Sequence, residues 1–278
     1  MIPPIASRFV AGETPAEALD HVAELNDGGV KAIVNLLGEH YHDRAPADAD
    51  ADAYVDLVED IAHSDVDACI SVKPSQIGLG VDDAAFEENI ERIAAAAAEH
   101  DVFCWIDMED HETTDVTLDA YERLATEYGG GVGVCVQANL KRTEEDLERL
   151  APLPGKVRLV KGAYDEPGEL AYKKKERVNE AYREYLEYMF EHFDGGVAVG
   201  SHDPAMIEYA IELHDEYGTD FELQMLMGVR EDAQFDLAEE YETYQYVPYG
   251  SKWFSYFYRR AMERKENLLF AVRAVLGR

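Results

Sequence analysis

Short apolar runs alternate with longer amphipathic stretches along the whole chain. The short runs have the length and the β-branched content of buried strands, and the longer stretches repeat their apolar residues at helical spacing. Regular alternation of this kind predicts a parallel sheet whose strands are joined by helical crossovers. The eight predicted strands are Lys31–Leu37, Asp67–Lys73, Val102–Met108, Val132–Ala138, Val157–Gly162, Val197–Ser201, Glu222–Leu226 and Gln245–Tyr249.

Amphipathic segments separate these strands, one precedes the first strand, and a long one follows the last. The predicted helices are Ala16–Leu25, Asp50–His63, Asp83–His100, Thr117–Tyr128, Glu144–Leu150, Lys175–Phe193, Pro204–Tyr217, Asp232–Tyr241 and Trp253–Leu276. Eight strands in strict alternation with helices favour a closed barrel over an open sheet. No linker rich in serine, proline or glycine divides the chain, so we predict a single α/β domain over residues 1–278, a (β/α)8 barrel of the TIM type.

Polar and ionisable residues lie within several predicted strands or at and just after the strand ends. They are Lys73, Asp107, Gln137, Arg158, Lys161, His202, Gln224 and Tyr246. In barrels of this type the active site lies at the carboxyl ends of the strands, where these side chains would converge. The pattern predicts a site for a charged ligand that forms hydrogen bonds.

Acidic residues outnumber basic ones by 58 to 25, which gives a formal net charge of −33. Such a charge repels phosphate backbones and anionic membrane surfaces, so nucleic-acid binding is not expected. The acidic residues are spread along the chain and include the run Asp48–Asp52. One interpretation is a solvated surface that happens to be acidic. The other is adaptation of a halophilic protein to molar salt, which screens the repulsion between like charges.

Three cysteines, Cys69, Cys104 and Cys135, are too few for a disulfide scaffold and lie within predicted strands. We expect them to be small buried hydrophobic residues. The sequence contains no run of 18 apolar residues and no basic amino-terminal region followed by an apolar stretch. These observations predict a cytoplasmic protein without stable membrane insertion.

A series of segments, in order along the chain, is similar to segments of proline dehydrogenases. They are Ser71–Leu79, Trp105–Asp110, Val136–Thr143, Arg158–Tyr164, Ser201–Pro204, Glu222–Leu226, Tyr246–Gly250 and Tyr256–Glu263. The chain thus resembles the short, monofunctional members of that family. The resemblance implies a distorted (β/α)8 barrel with the last helix over its carboxyl-terminal mouth. It also implies FAD-dependent oxidation of L-proline to Δ1-pyrroline-5-carboxylate by hydride transfer to flavin N5, the first step of proline catabolism.

The resemblance also implies the substrate and catalytic residues. Arg259 and Arg260 would bind the proline carboxylate as planar guanidinium groups, and Glu263 lies one helical turn further on, within reach of either arginine. The remaining implied residues are Lys73 as a second carboxylate anchor, Asp107 as a positioning group, Tyr246 against the proline ring, and Leu226 and Tyr256 as pocket walls.

For FAD, the resemblance implies a larger set: Gln137, Arg158, Val160, Lys161, Gly162, Ala163, Tyr164, Lys175, Ser201, His202, Gln224 and Glu263. Arg158 would approach flavin N5, where a cation favours the reduced, anionic ring. Gly162 would let the backbone approach the cofactor closely. An electron acceptor such as a membrane quinone would reoxidise the flavin, with the protein peripheral to the membrane.

Other interpretations remain open from the sequence. Lys73 could extend to solvent at the barrel rim, the paired arginines could form ordinary ion pairs on an exposed helix, and Lys173–Lys175 could be a solvated helix start. The acidic segment Asp107–Glu112 could hold a metal in another barrel enzyme acting on a small carboxylate, although we predict no metal. A flavin- or amino-acid-binding protein without turnover is the non-enzymatic alternative. Compared with the family, Asn139, Ser201 and Arg264 are departures that bear on the fit of the substrate.

Overall fold

The computed structural model describes residue 2, residues 6–38 and residues 40–258. Eight parallel strands pair in sequence order and close into a barrel, because the first strand also pairs with the eighth. The strands are β1 (Lys31–Leu36), β2 (Ala68–Val72), β3 (Cys104–Ile106), β4 (Val132–Gln137), β5 (Lys156–Val160), β6 (Val197–Gly200), β7 (Phe221–Leu226) and β8 (Thr243–Tyr249). The predicted α/β barrel is confirmed.

Helices surround the barrel in the described part of the chain. They are α1 (Pro15–Asp27), α2 (Arg44–Ala62), α3 (Asp83–Glu99), α4 (Thr114–Glu127), α5 (Thr143–Leu150), α6 (Lys175–His192), α7 (Pro204–Tyr217) and α8 (Glu231–Ala238). A 3-10 turn over His111–Thr113 precedes α4, and residues 253–258 are helical. None of the helices described here is long and apolar enough to span a bilayer. The rest of the predicted final helix, to Leu276, lies outside the described residues.

The start of α2 differs from the prediction, because the helix begins at Arg44 rather than at Asp50. Pro46 lies in its first turn, where a missing N–H leaves no intrahelical hydrogen bond unmade. Ala47 and Ala51 are fully buried in this region and extend the apolar face toward the amino terminus. The apolar face was difficult to recognise because small alanines form it between aspartates.

The two faces of the strands separate the outer core from the interior of the barrel. Ala32 and Val34 belong to the large apolar core that includes the surrounding helices. Ile33 belongs instead to a small apolar cluster with Cys69, Trp105, Ala198 and Tyr244. Because side chains alternate along a strand, residues two positions further on point into the barrel at the next level. Those positions include Asn35, Ser71, Asp107 and Tyr246, so a polar level lies above an apolar one.

Candidate active site

A pocket of about 400 Å³ opens where the carboxyl ends of the strands meet. Its walls include most of the residues that were predicted for substrate and cofactor. These are Lys73, Asp107, Arg158, Val160, Lys161, Gly162, Ala163, Tyr164, His202, Gln224, Leu226, Tyr246 and Tyr256. The folded barrel thus brings together residues that are far apart in the sequence.

Asp107 lies at the centre of the polar level and accepts hydrogen bonds from three strands. Ser71 Oγ donates to its Oδ1 at 2.7 Å, and the Tyr246 hydroxyl donates to its Oδ2 at 2.7 Å. Arg158 Nη2 also donates to Oδ1. Lys73 Nζ lies 3.7 Å from Oδ2, which is beyond hydrogen-bond distance but close enough for strong attraction.

The pKa of Asp107 reflects a competition between burial and neighbouring cations. Burial alone raises the pKa of this carboxyl group, but the charges of Arg158 and Lys73 and the hydrogen bonds from Tyr246 and Ser71 outweigh it. The resulting pKa lies below the ordinary value, so Asp107 is ionised at neutral pH. Burial, followed by the charge of Asp107, raises the pKa of Tyr246 well above its ordinary value. Tyr246 therefore remains a hydroxyl donor.

Arg158 is held on three sides within the barrel. Besides Asp107, it donates from Nη1 to Gln224 Oε1 at 3.0 Å. Its guanidinium group also lies over the Trp105 ring, with 5.0 Å between Cζ and the ring centroid. Gln224 in turn donates to Glu222 at 2.6 Å, which fixes the orientation of its amide.

Glu109 is a second buried carboxylate on the pocket wall, and only 3% of it is exposed. Ser75 donates to it twice, from its backbone nitrogen at 2.6 Å and from Oγ at 2.7 Å. Burial raises the pKa of Glu109, and the bonds from Ser75 partly offset this effect. Two serine–carboxylate pairs, Ser71–Asp107 and Ser75–Glu109, thus connect the ends of β2 and β3 on either side of Lys73.

The opposite wall of the pocket brings backbone atoms close to the cavity. Gly162 has φ of +104°, and a Cβ atom placed on it would lie 2.1 Å from Asn139 Oδ1. Only glycine fits this conformation and this contact. Asn139 Oδ1 is buried and has no hydrogen-bond partner within the described structure. The need for glycine at position 162 was predictable from the sequence, whereas the residue that imposes it, Asn139, was not.

His202 contributes a defined tautomer to the same wall. The backbone N–H of Leu226 donates to His202 Nε2 at 3.3 Å. Because a backbone nitrogen only donates, Nε2 must be the unprotonated acceptor, which leaves the ring proton on Nδ1. Lys161, nearby on the wall, donates to Asp203 at 2.7 Å.

Of the predicted cofactor residues that the structure describes, three are not among those lining the pocket. Gln137 is buried, and its Nε2 donates to the backbone oxygen of Glu109 at 2.8 Å. Ser201 is buried, and its Oγ accepts from the backbone nitrogen of Asp203 at 3.2 Å. Lys175 is exposed at the start of α6. The pKa of Asp203 is lowered mainly by Lys161 and to a smaller extent by the charge of Lys175. The roles of these residues remain predictions.

Four predicted or discussed residues, Arg259, Arg260, Glu263 and Arg264, lie outside the described residues. Tyr256, the nearest described neighbour of this group, is 8% exposed and packs with Phe9 and Leu37. It also lines the pocket, so residues 253–258 reach the mouth of the barrel.

The acidic segment after β3 does not gather its side chains around one point. Asp110 accepts from the backbone nitrogens of Glu112 and Thr113, and His111 contacts Glu166 at 2.5 Å. Asp107 and Glu109 have the separate partners described above. Among residues 6–38 and 40–258, no group of three histidine, cysteine or carboxylate side chains is arranged to hold a metal ion.

Several polar residues that support the site were not predicted from the sequence. They are Asn35, Ser71, Ser75, Glu109 as a buried pocket residue, and Glu222. Asn35 and Ser71 each interrupt an otherwise apolar strand, and Glu222 lies two residues before Gln224 on the same strand face. A polar residue on the inward face of a buried strand was the signal available for finding them.

Comparisons with known proteins agree with this architecture. The family model described as "Proline dehydrogenase" matches residues 18–273. The proline dehydrogenase of Deinococcus radiodurans is 37% identical, with 98% of this chain and 90% of that protein covered. Proline dehydrogenase 1 of Bacillus subtilis subsp. natto is 34% identical, with the same coverage.

A solved structure shares the fold. The chain resembles proline utilization A (PutA) from Bdellovibrio bacteriovorus, inactivated by N-propargylglycine, with a TM-score of 0.83 and 23% identity. The match covers 92% of this chain and 32% of that one, so this chain spans about a third of that protein's length. The family match and the two relatives, which are aligned over nearly the full chain, show that this chain belongs to the proline dehydrogenase family.

Proposed function

We propose that this protein oxidises L-proline to Δ1-pyrroline-5-carboxylate with FAD as the hydride acceptor, as the first step of proline catabolism. Membership of the proline dehydrogenase family supports this reaction. The single structural observation that carries the proposal is the cluster of Lys73, Asp107, Arg158 and Tyr246 at one pocket. A small zwitterion needs such a site, with cations for its carboxylate beside an apolar surface for its ring.

On the substrate side, Lys73 would bind the carboxylate, while Asp107 orients the groups around it. Tyr246 and Leu226 would contact the ring, with Tyr256 closing the mouth. The Tyr246 hydroxyl donates to Asp107 at 2.7 Å, so the tyrosine ring has a fixed position against which proline can pack. From the sequence, Arg259 and Arg260 would complete the carboxylate site with Glu263 beside them.

The residues of the opposite wall have the chemistry that FAD requires. Gly162 presents backbone without a Cβ atom, Arg158 and Lys161 offer cationic donors, and His202 carries its proton on Nδ1. When bound there, FAD would supply a hydride acceptor at its N5 atom. Arg158 would stabilise negative charge at that ring edge, and Asp107 and Gln224 hold its guanidinium in place. Other residues proposed for the cofactor are Gln137, Val160, Ala163, Tyr164, Lys175, Ser201, Gln224 and Glu263.

Turnover requires a second acceptor, because a reduced flavin must be reoxidised before the next proline binds. We propose a quinone of the membrane for this role, which would place a cytoplasmic protein in transient contact with the membrane surface.

The decisive experiment is anaerobic addition of L-proline to the FAD-loaded protein while flavin absorbance is recorded. Loss of the oxidised-flavin band, with Δ1-pyrroline-5-carboxylate as the product, is expected. A binding protein without turnover would bind proline and leave the band unchanged. A colourless protein that stays inactive after FAD is added would contradict the proposal, and a metal requirement for turnover would favour the alternative barrel enzyme.

A further inference from the structure

The ammonium group of Lys73 is held by a neutral side chain. Its Nζ donates to Asn35 Oδ1 at 2.9 Å, whereas Asp107 Oδ2 lies 3.7 Å away. Asn35 is fully buried at the end of β1, and Lys73 follows the end of β2. The shortest polar contact described for this lysine is therefore with an amide oxygen, which carries no formal charge.

The surrounding hydrogen bonds determine which way the Asn35 amide points. Asn35 Nδ2 donates to the backbone oxygen of Ser71 at 2.8 Å and to the Tyr54 hydroxyl at 3.0 Å. Tyr54 itself donates to the Ser71 oxygen at 2.9 Å, so its hydroxyl oxygen accepts from Asn35. With the amide nitrogen held by two acceptors, Oδ1 must point toward Lys73.

The two carboxylates near Lys73 are engaged by other donors. Ser71, Tyr246 and Arg158 all donate to Asp107. Both oxygens of Glu109 accept from Ser75. The polar level therefore contains negative charge, and Asp107 attracts the lysine from 3.7 Å, but every hydrogen bond described for the two carboxylates comes from another donor.

We propose that Asn35 is a positioning residue that holds the Lys73 ammonium at the pocket while leaving its charge available to the carboxylate of the substrate. The inference rests on the proposed function, in which Lys73 binds that carboxylate. A carboxylate in place of Asn35 would add to Asp107 a second anion, at hydrogen-bond distance from Lys73, and would compete with the ligand. A neutral acceptor fixes the same geometry without this competition.

The test compares two unreactive ligands on the FAD-loaded protein, cyclopentanecarboxylate and cyclopentanecarboxamide. Neither contains a ring nitrogen, so neither can be oxidised as proline is, and calorimetric titration gives both dissociation constants. In Asn35→Asp, the preference for the carboxylate over the carboxamide should fall by about 10-fold or more, since a hydrogen bond to a charged group is at stake. A folded variant that weakens both ligands equally would show that Asn35 has only a structural role.

Two further variants separate charge from packing. Gln245→Glu makes the same amide-to-acid change on β8, where Gln245 is buried and donates to Gln234 at 2.9 Å, and it should leave the ligand preference unchanged. Asn35→Leu removes the anchor but adds no charge, so it should weaken carboxylate binding less than Asn35→Asp does. An equal or larger loss in the leucine variant would overturn the charge argument.

If Asn35→Asp does not fold, the leucine variant still tests the positioning role. Carboxylate binding that weakens more than carboxamide binding supports it, and an unchanged preference between the two ligands overturns it. Failure of the wild-type protein to bind cyclopentanecarboxylate would overturn both the carboxylate site and the role of Asn35. Normal wild-type binding with an unchanged preference in Asn35→Asp would overturn the role of Asn35 alone.

Discussion

Arg158 on β5 donates to Asp107 at the end of β3, and 5% and 14% of their respective side chains are exposed. The pair joins two non-adjacent strands across the interior of the barrel. It also places a carboxylate between the cation proposed for the flavin, Arg158, and the cation proposed for the substrate, Lys73. Stability and function should therefore both depend on Asp107.

Replacing Asp107 with asparagine should leave the Arg158 charge buried without a counter-ion. Removing one partner of a buried ion pair costs about 3–5 kcal/mol, and we expect a loss near the lower limit because asparagine can still accept hydrogen bonds. Urea-induced unfolding measures the change in the free energy of unfolding.

Asp203→Asn is the matched control for this prediction. It removes the charge opposite Lys161, but the two side chains are 31% and 27% exposed, and asparagine retains the cap of α7. The expected loss is less than about 1 kcal/mol. Equal losses of unfolding free energy in the two variants would mean that the buried Asp107–Arg158 pair stabilises the protein no more than the partly exposed Asp203–Lys161 pair does.

The contribution of Asp107 to the free energy of unfolding should also depend on pH. Its pKa is lower in the folded protein than in the unfolded chain, so its stabilising effect is present above the ordinary aspartate pKa and disappears as the pH falls through the folded value. The difference in unfolding free energy between the wild type and Asp107→Asn should thus shrink from neutral pH toward pH values below about 4. Denaturant titrations over this range measure it, and a difference that is constant with pH would contradict the assignment.

Glu109 should show the opposite pH dependence, because burial raises its pKa. A raised pKa means that the folded state favours the protonated carboxyl, so the stabilisation is full below the ordinary glutamate pKa and is lost as the pH rises through the folded value. Relative to Glu109→Gln, the wild-type protein should lose stability between acid and neutral pH. The same denaturant titrations would detect it, and a wild type that gained stability over this range would refute the prediction.

Gly162→Ala should destabilise the protein for two physical reasons. Alanine at φ of +104° is strained, and its Cβ would overlap Asn139 Oδ1. We expect a loss of about 1–3 kcal/mol from the backbone conformation alone, together with lower FAD content because Gly162 lines the pocket.

Gly195→Ala separates strain from overlap, because Gly195 has φ of +132° with nothing within 4 Å of an added Cβ. It should lose stability through strain but keep its FAD. Adding Asn139→Ala to Gly162→Ala should recover part of the loss, since the backbone nitrogen and oxygen of Asn139, rather than its side chain, bond to Lys161 and Tyr172. Thermal unfolding measures the change in stability, and flavin absorbance measures the FAD content.

The net charge of −33 predicts a stability that rises with salt. Screening of the repulsion between like charges should raise the melting temperature as KCl increases toward the molar range, where the Debye length is about 3 Å. Replacing the exposed Glu239 and Glu240 with glutamine should make this dependence shallower. A melting temperature that is flat or falls with KCl would mean that the acidic surface is incidental.

The barrel itself was predictable because strand and helix periodicities differ and alternate without interruption. Strand ends could also be assigned, which placed Lys73, Asp107, Arg158 and Tyr246 at one rim. The supporting residues could not be deduced in the same way. Asn35 is visible in the sequence only as a polar residue in an apolar strand, and its role depends on Lys73 from the next strand.

Contacts between loops could not be predicted from the hydrophobic pattern of the sequence either. The need for glycine at position 162 arises from Asn139, which belongs to a different βα connection. The hydrogen bonds from Ser75 to Glu109 likewise depend on the register between β2 and β3, in which Ser71 pairs with Trp105. A one-dimensional pattern gives the spacing within each strand but not the relative shift of its neighbours.

The closure of the barrel has a consequence for how the protein is made. β1 pairs with β8 over six residues, from Lys31–Tyr244 to Leu36–Tyr249, so β1 has its second neighbour in the barrel only after β8 has left the ribosome. During synthesis, β1 presents an open edge, and such edges invite association with other chains. Tyr246, which completes the set of donors around Asp107, arrives on that same closing strand. The pocket and the sealed barrel therefore form together once β8 has been made, and a nascent chain that still lacks β8 has neither.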